Sequence, residues 1–266
     1  MDLRQIFRAP RETARYYLDL ARFGDRPRRL DKPVPAQRVV VLAPHPDDEA
    51  IGCAGAIRLY TIGGAAVSTI YISDGSRGDG SVNKLKGAER LEAQARLTQT
   101  RKGEASRAAA ILGVTDLAFL DLPDGGVFAS RENVASLRTH LDRLKPEIVF
   151  LPFFIDQHPD HVATNDLFLE AVAGSAAGGP GECWGYEVWT PLYANRILDI
   201  SSVAEAKWEA LRQYESQNRR LDYVGSTQGL NAFRQRSSYK STGYAEAFFA
   251  ASLADYRALY MERPGR

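Results

Sequence analysis

Cysteine is nearly missing from this 266-residue chain: Cys53 and Cys183 stand far apart and outside any Cys-x-x-Cys spacing. Neither a disulfide framework nor a cysteine-built zinc module is available, so any metal must be held by histidine and carboxylate. A membrane-crossing helix needs about 18 apolar residues in a row, and the sequence has no such run. Arg4, Arg8, Arg11 and Arg15 break up the stretch where a signal peptide would need a continuous apolar region, so a cytoplasmic location is expected. An excess of one charge is also lacking. With 34 Lys and Arg against 33 Asp and Glu, the net charge is +1, which gives no global reason to expect nucleic acid as a partner. What remains, 44% hydrophobic and 25% charged residues, is ordinary globular material long enough to bury a substantial single core.

Residues 1–36 carry nine basic and five acidic side chains and form the basic part of the chain. Within them Ala14, Tyr17, Leu18 and Ala21 fall on one face of an expected helix, which reads as packed on the domain surface; contact of its arginines with a membrane or an anionic partner is the sharper alternative. From residue 38 the pattern alternates. Apolar β-rich runs at 38–43, 66–72, 117–120 and 147–151 are separated by helical patterns at 49–62, 88–112 and 131–144, with Gly113 and Pro146 as punctuation. This succession predicts an α/β domain over residues 37–266, its mostly parallel sheet covered by helices on both faces, with ligands gathering at the carboxyl ends of the strands.

Three of the four histidines lie in two short polar segments, each following a predicted strand: Pro44-His45-Pro46-Asp47-Asp48-Glu49 and Asp156-Gln157-His158-Pro159-Asp160-His161. Buried acids in a row repel one another unless a cation or hydrogen bonds offset them. Imidazole with carboxylate suits Zn²⁺, with Fe²⁺, Co²⁺ and Mn²⁺ as substitutes. A catalytic zinc takes three protein ligands and a water whose pKa falls to about 7. His plus Asp from one segment and His from the other complete such a set, leaving a carboxylate to take a proton and a histidine to stabilise an intermediate. Taken singly, either segment is also good turn and helix-capping material. His140 inside a helical pattern reads as a surface or packing residue, and Cys53 as a small buried apolar one. The Gly-rich 76–80 stretch lacks the Gly-Lys-Ser/Thr ending of a phosphate loop and reads as a rim loop. Trp184, Trp189, Tyr193, Tyr223, Tyr239 and Tyr244 are candidate sugar platforms or core residues.

These segments resemble the signatures of the PIG-L or LmbE-like metal-dependent de-N-acetylases, a His-Pro-Asp-Asp-Glu motif and a later His-x-x-His motif with Asp before the second His. Ser73-Asp74-Gly75, Arg101-Lys-Gly-Glu104, Leu122-Pro-Asp-Gly125 and Ala245-Glu-Ala-Phe-Phe249 are similar to weaker family segments. The resemblance implies a Rossmann-like three-layer α/β/α fold and a metal held by His45, Asp48 and His161. It further implies Asp47 as general base, His158 as oxyanion stabiliser, and Asp160 as the group that orients a histidine. Arg101 and Asp124 become candidates for holding sugar hydroxyls against ordinary ion-pair and turn roles. Glu49 is a candidate substrate contact or a first-turn carboxylate facing the helix dipole. Some relatives carry Tyr two positions before the His-x-x-His motif, where this chain has Asp156.

The expected activity is hydrolysis of the acetamide of an N-acetyl amino sugar, of N-acetylglucosamine type, or of its conjugate, using metal-activated water and Asp47. The expected partner is this small molecule, with no nucleic acid. An amidase acting on a larger acyl group or a thiol conjugate, and a non-catalytic carbohydrate-binding protein, are the rival readings.

Overall fold

The structure, a computed structural model, describes residue 14, residues 18–22 and residues 26–263. Its centre is β2 (Arg38–Ala43), whose continuous apolar run buries both faces: Val39, Val41 and Ala43 enter one core, Val40 and Leu42 the other. Side chains alternate across a strand, so a strand without polar positions must be covered on both sides. β3 (Ala66–Ser73) and β4 (Asp116–Leu122) extend the sheet in parallel on one side of β2, and β5 (Ile148–Pro152) and β6 (Glu182–Tyr186) on the other. β8 (Ala245–Ser252) then runs antiparallel between β6 and β7 (Arg196–Asp199), and β1 (Arg28–Leu30) closes that edge parallel to β7. The eight-stranded order is β1-β7-β8-β6-β5-β2-β3-β4.

Helices cover the sheet on both sides, as expected. One core takes the apolar faces of α1 (Asp48–Ile62), α2 (Gly87–Leu112) and α5 (Ala204–Arg212). The other takes α3 (Arg131–Leu144), α4 (Pro159–Ala173) and α8 (Leu253–Glu262). The short α6 (Glu215–Asn218) and the longer α7 (Tyr223–Tyr239) lie between α5 and β8 in the chain. α2 ends as its sequence predicts, with Gly113 in the left-handed conformation at φ 81° that a residue with a side chain disfavours.

The boundary expected after residue 36 does not mark the edge of the fold, because Arg28–Leu30 is a strand of the same sheet. The expected helical face is also corrected. Residues 18–21 are helical, but Leu18 is 70% exposed, Ala14 is exposed, and it is Leu20 that is fully buried beside the α4 and α8 core. Tyr17, Arg4, Arg8, Arg11 and Arg15 lie outside the described residues. Among the described residues no helix is long and apolar enough to cross a membrane.

Candidate active site

The sheet's winding reverses between β2 and β5. From β2 the chain proceeds to β3 on one side, and from β5 to β6 on the other. Such a switch opens a crevice beyond the carboxyl ends of the two central strands. Both polar segments enter it, one between β2 and α1, the other between β5 and α4. More than a hundred residues of chain therefore collapse to one lattice spacing of a sheet.

Three atoms able to bind an ion meet there. His45 Nδ1 is 3.1 Å from Asp48 Oδ2, His161 Nε2 is 3.2 Å from the same oxygen, and the two ring nitrogens are 3.4 Å apart. Ligands about 2.0–2.1 Å from a tetrahedral zinc ion stand about 3.3 Å from each other, so the triangle has the dimensions of such a site. The outward nitrogen of each ring faces a carboxylate. His45 Nε2 donates to Asp160 Oδ2 at 3.2 Å, with Asp124 Oδ1 at 3.5 Å, and His161 Nδ1 stands 3.2 Å from Asp156 Oδ1. A hydrogen bond of this kind is how a metal-binding imidazole is held in one tautomer and orientation; His45 makes it, whereas His161 Nδ1 has only the charge of Asp156 beside it and no hydrogen-bond partner. His45 also belongs to two other groups of side chains able to hold an ion, one with His158 and His161 and one with Asp124 and Asp160. Those carboxylates are already occupied: Asp160 accepts the amides of Gly125 and Val127 at 2.7 and 3.2 Å, and Asp124 that of Arg77 at 2.8 Å. Both stand on the Nε2 side of His45, away from the Nδ1 that faces Asp48 and His161.

Asp47 precedes α1 with φ 134°, a conformation rare for a residue with a side chain. Buried groups hold it there. Arg101 Nη2 pairs with Asp47 Oδ2 at 3.0 Å and also donates to the Pro46 carbonyl, while Arg101 Nη1 donates to the Gly75 carbonyl. Glu49 reaches back to accept the Asp47 amide at 3.2 Å and is itself bonded by the Tyr214 hydroxyl. Burial pushes Asp47 up to about 7 against the pull of Arg101, and the neighbouring Asp48 charge adds to the rise. Glu49 is likewise raised by burial to about 7, against the Tyr214 hydrogen bond. Burial also opposes ionisation of Asp48, yet the His161 and His45 charges prevail and keep it well below the carboxylate range. His161 responds in kind: burial lowers it, but Asp48 and Asp156 raise it to about 9.

His158 caps α4. Its Nδ1 accepts the Asp160 amide at 3.2 Å, which leaves Nε2 as the proton-bearing nitrogen of a neutral ring. Burial and the nearby His45 and His161 charges all lower its pKa, favouring that neutral form. The ring packs edge-on to His45 at 4.6 Å and lines the same cleft as Asp47.

The expected substrate contacts divide. Asp124 and Arg101 line the cleft, but the Arg101 guanidinium is engaged with Asp47, Pro46 and Gly75. Glu49 is not brought to the cleft; it is 2% exposed and spent on Asp47 and Tyr214. Of the aromatic candidates, Trp189 and Tyr223 form one wall, with Trp189 still 47% exposed. Trp184 is in the core against Phe150 and Phe248, Tyr239 bonds the Leu30 carbonyl, and Tyr244 packs on Trp208. Cys53 is buried with its thiol pushed up by that burial. Sequence reasoning missed Asp156 as the partner of His161 and Tyr214 as that of Glu49. Asp156 carried a readable signal, since its Oδ1 also accepts the His158 amide two residues on, an Asx turn. Tyr214 carried none.

The family profile described as PIG-L, GlcNAc-PI de-N-acetylase, matches residues 40–172. A diacetylchitobiose deacetylase of Thermococcus kodakarensis is 32% identical over 197 residues, covering 68% of this chain and 70% of its own. A 4-oxalmesaconate hydratase of Pseudomonas putida is 28% identical over 231 residues, covering 80% of this chain and 88% of its own. The solved structure of N,N'-diacetylchitobiose deacetylase from Pyrococcus horikoshii, complexed with its inhibitor, superposes with a TM-score of 0.71 at 25% identity, covering 83% of this chain and 86% of that one. Because the matched half of the sequence contains both segments that meet at the switch point, and a relative above 30% identity extends beyond it, the chain belongs to the PIG-L (GlcNAc-PI de-N-acetylase) family.

Proposed function

We propose that this protein is a zinc-dependent hydrolase that removes the acetyl group from an N-acetylglucosamine-type sugar or a conjugate of one. The observation that carries this reading is the triangle of His45 Nδ1, Asp48 Oδ2 and His161 Nε2, with Asp47 and His158 lining the same cleft. The diacetylchitobiose deacetylases among its relatives support the substrate class. Two buried, unpaired cysteines are in keeping with a cytoplasmic enzyme.

Zinc held by His45, Asp48 and His161 supplies Lewis-acid polarisation of the amide carbonyl and a lowered pKa for water. The chain's own groups do the rest. Asp47, whose pKa burial raises to about 7, accepts in its ionised form the proton of the attacking water. The Nε2–H of His158 is the donor for the negative charge that builds on the carbonyl oxygen. The proton gained by Asp47 balances the one needed by the departing amine, so acetate and a free amino sugar leave. Arg101 holds Asp47 in place, Asp124 offers a carboxylate to a sugar hydroxyl, and Trp189 with Tyr223 offers an apolar face to the ring.

The test is free-amine and acetate release from N-acetylglucosamine and diacetylchitobiose, with chelator and with zinc restored. Turnover lost to chelator and recovered with zinc is expected. A second reading is favoured by the hydratase relative, which aligns over most of both chains: the same base and metal would add water to an activated double bond. Hydration of an oxalmesaconate-type substrate without acetate release from any N-acetyl sugar would decide for it.

A further inference from the structure

α1 carries the metal ligand Asp48 in its first turn, yet it is not a continuous helix. Cys53, with φ −146° and ψ 18°, interrupts it. In an unbroken helix the Gly55 amide would bond the Ile51 carbonyl, and the Ala56 amide that of Gly52. Here both amides are taken by one carboxylate: Glu246 Oε1 accepts Gly55 N and Oε2 accepts Ala56 N, each at 2.8 Å. The displaced Ile51 carbonyl accepts from Lys207 Nζ at 2.8 Å, and Lys207 pairs with Glu246 at 2.6 Å. An ion pair from α5 and β8 is thus inserted into the hydrogen-bond ladder of α1, a recognised cause of helix bending. The bend also seats the helix on the sheet. A Cβ on Gly52 would come within 2.2 Å of the Tyr186 ring, and one on Gly55 within 2.6 Å of Ile200.

Stability alone does not account for this pair. Both side chains are fully buried, and a buried ion pair is often matched or bettered by apolar residues of similar volume. What apolar residues cannot do is end the first turn of α1 at Ile51 and start a new helix at Gly55. Lys207 closes residues 48–52 as a separate turn, and Glu246 caps the segment that follows.

We propose that Lys207 and Glu246 are positioning residues for the metal site, holding the bend at Cys53 that aims Asp48 at His45 and His161. This rests on the reading of those three residues as zinc ligands. With the pair removed, the Gly55 amide can return to the Ile51 carbonyl, the helix straightens, and Asp48 leaves the triangle.

The experiment is zinc affinity by competition with a chromophoric chelator, together with thermal unfolding of the metal-free protein. Lys207→Met/Glu246→Leu removes both charges at similar volume. It should unfold at or above the wild-type temperature while binding zinc about 10–100-fold more weakly, the cost typical of losing groups that support a ligand. Glu246→Gln, which keeps one acceptor oxygen, should fall between. A purely structural role would move the melting temperature and leave affinity alone, so a folded double variant within twofold of wild-type affinity overturns the proposal. If the double variant does not fold, Glu246→Gln at wild-type affinity overturns it equally. Failure of the wild-type chain to bind zinc at all would be a different result, sinking the reading of the site and this proposal with it.

Discussion

Asp47 and His158 occupy equivalent places, each the residue immediately before a helix at the rim of one cleft, but they are held by opposite means. His158 has ordinary backbone angles, caps α4 with its own Nδ1, and is followed by Pro159, whose ring presets the first helical turn. Asp47 caps nothing with its side chain and sits at a positive φ, supported by Arg101 from α2, by Glu49 and, behind it, by Tyr214. The contrast shows two ways of holding a side chain at the rim of one cleft. A carboxylate that capped its own helix would be hydrogen-bonded to it; Asp47, held out of the capping conformation, pairs one oxygen with Arg101 and gives none to its own helix. The histidine needs no such device, because its second ring nitrogen remains after the first has capped.

Substitutions separate the two arrangements. The largest effect falls on the shared ligands: Asp48→Ala or His161→Ala should abolish turnover and leave the purified protein without stoichiometric zinc by elemental analysis. Next, Asp47→Ala should lower kcat by about 10²–10⁴-fold, the usual worth of a general base, with zinc content unchanged. Wild-type deacetylation by that variant would remove Asp47 from the mechanism. Arg101→Met leaves the buried Asp47 carboxylate unpaired, an arrangement that costs about 3–5 kcal/mol; chemical denaturation should show the loss, and kcat should fall with it. Asp156→Asn keeps the shape beside His161 but weakens the charge behind it, so zinc affinity should drop about 10–100-fold in chelator competition. The smallest change belongs to the locally held segment. Pro159→Ala should shift stability by less than about 1 kcal/mol and leave kcat within twofold, since neighbouring caps remain.

How much of this could be read in advance follows the range of the forces involved. β2 and β5 announce themselves because a strand buried on both faces has no polar position to offer, and α2 because helix formers run unbroken to a left-handed glycine. β1 did not, since three residues with two exposed arginines carry no pattern; only pairing with β7 makes them a strand. The expected N-terminal face missed Leu20 for a related reason: periodicity ranks residues by spacing, and the α4 and α8 core selected another side. At the site, the donor types and their order after strands were legible. Glu49 was not assignable, because helix-dipole and substrate roles demand the same residue, and the choice was made by Tyr214, 165 positions away. Lys207 gave no hint at all; a lysine in an amphipathic helix ordinarily faces water, and here it is 0% exposed beneath α1.

The amino-acid sequence by itself determined the alternation of strands and helices, the position of two polar segments at strand ends, and the kinds of atoms they could offer an ion, because each depends on neighbours a few residues apart. Tertiary structure alone decided which nitrogen of each imidazole faces inward, which acids became supports, and where α1 bends. Those outcomes rest on contacts between chain segments tens to hundreds of residues apart, brought within hydrogen-bond range only when the sheet assembles and burial makes every unpaired charge expensive.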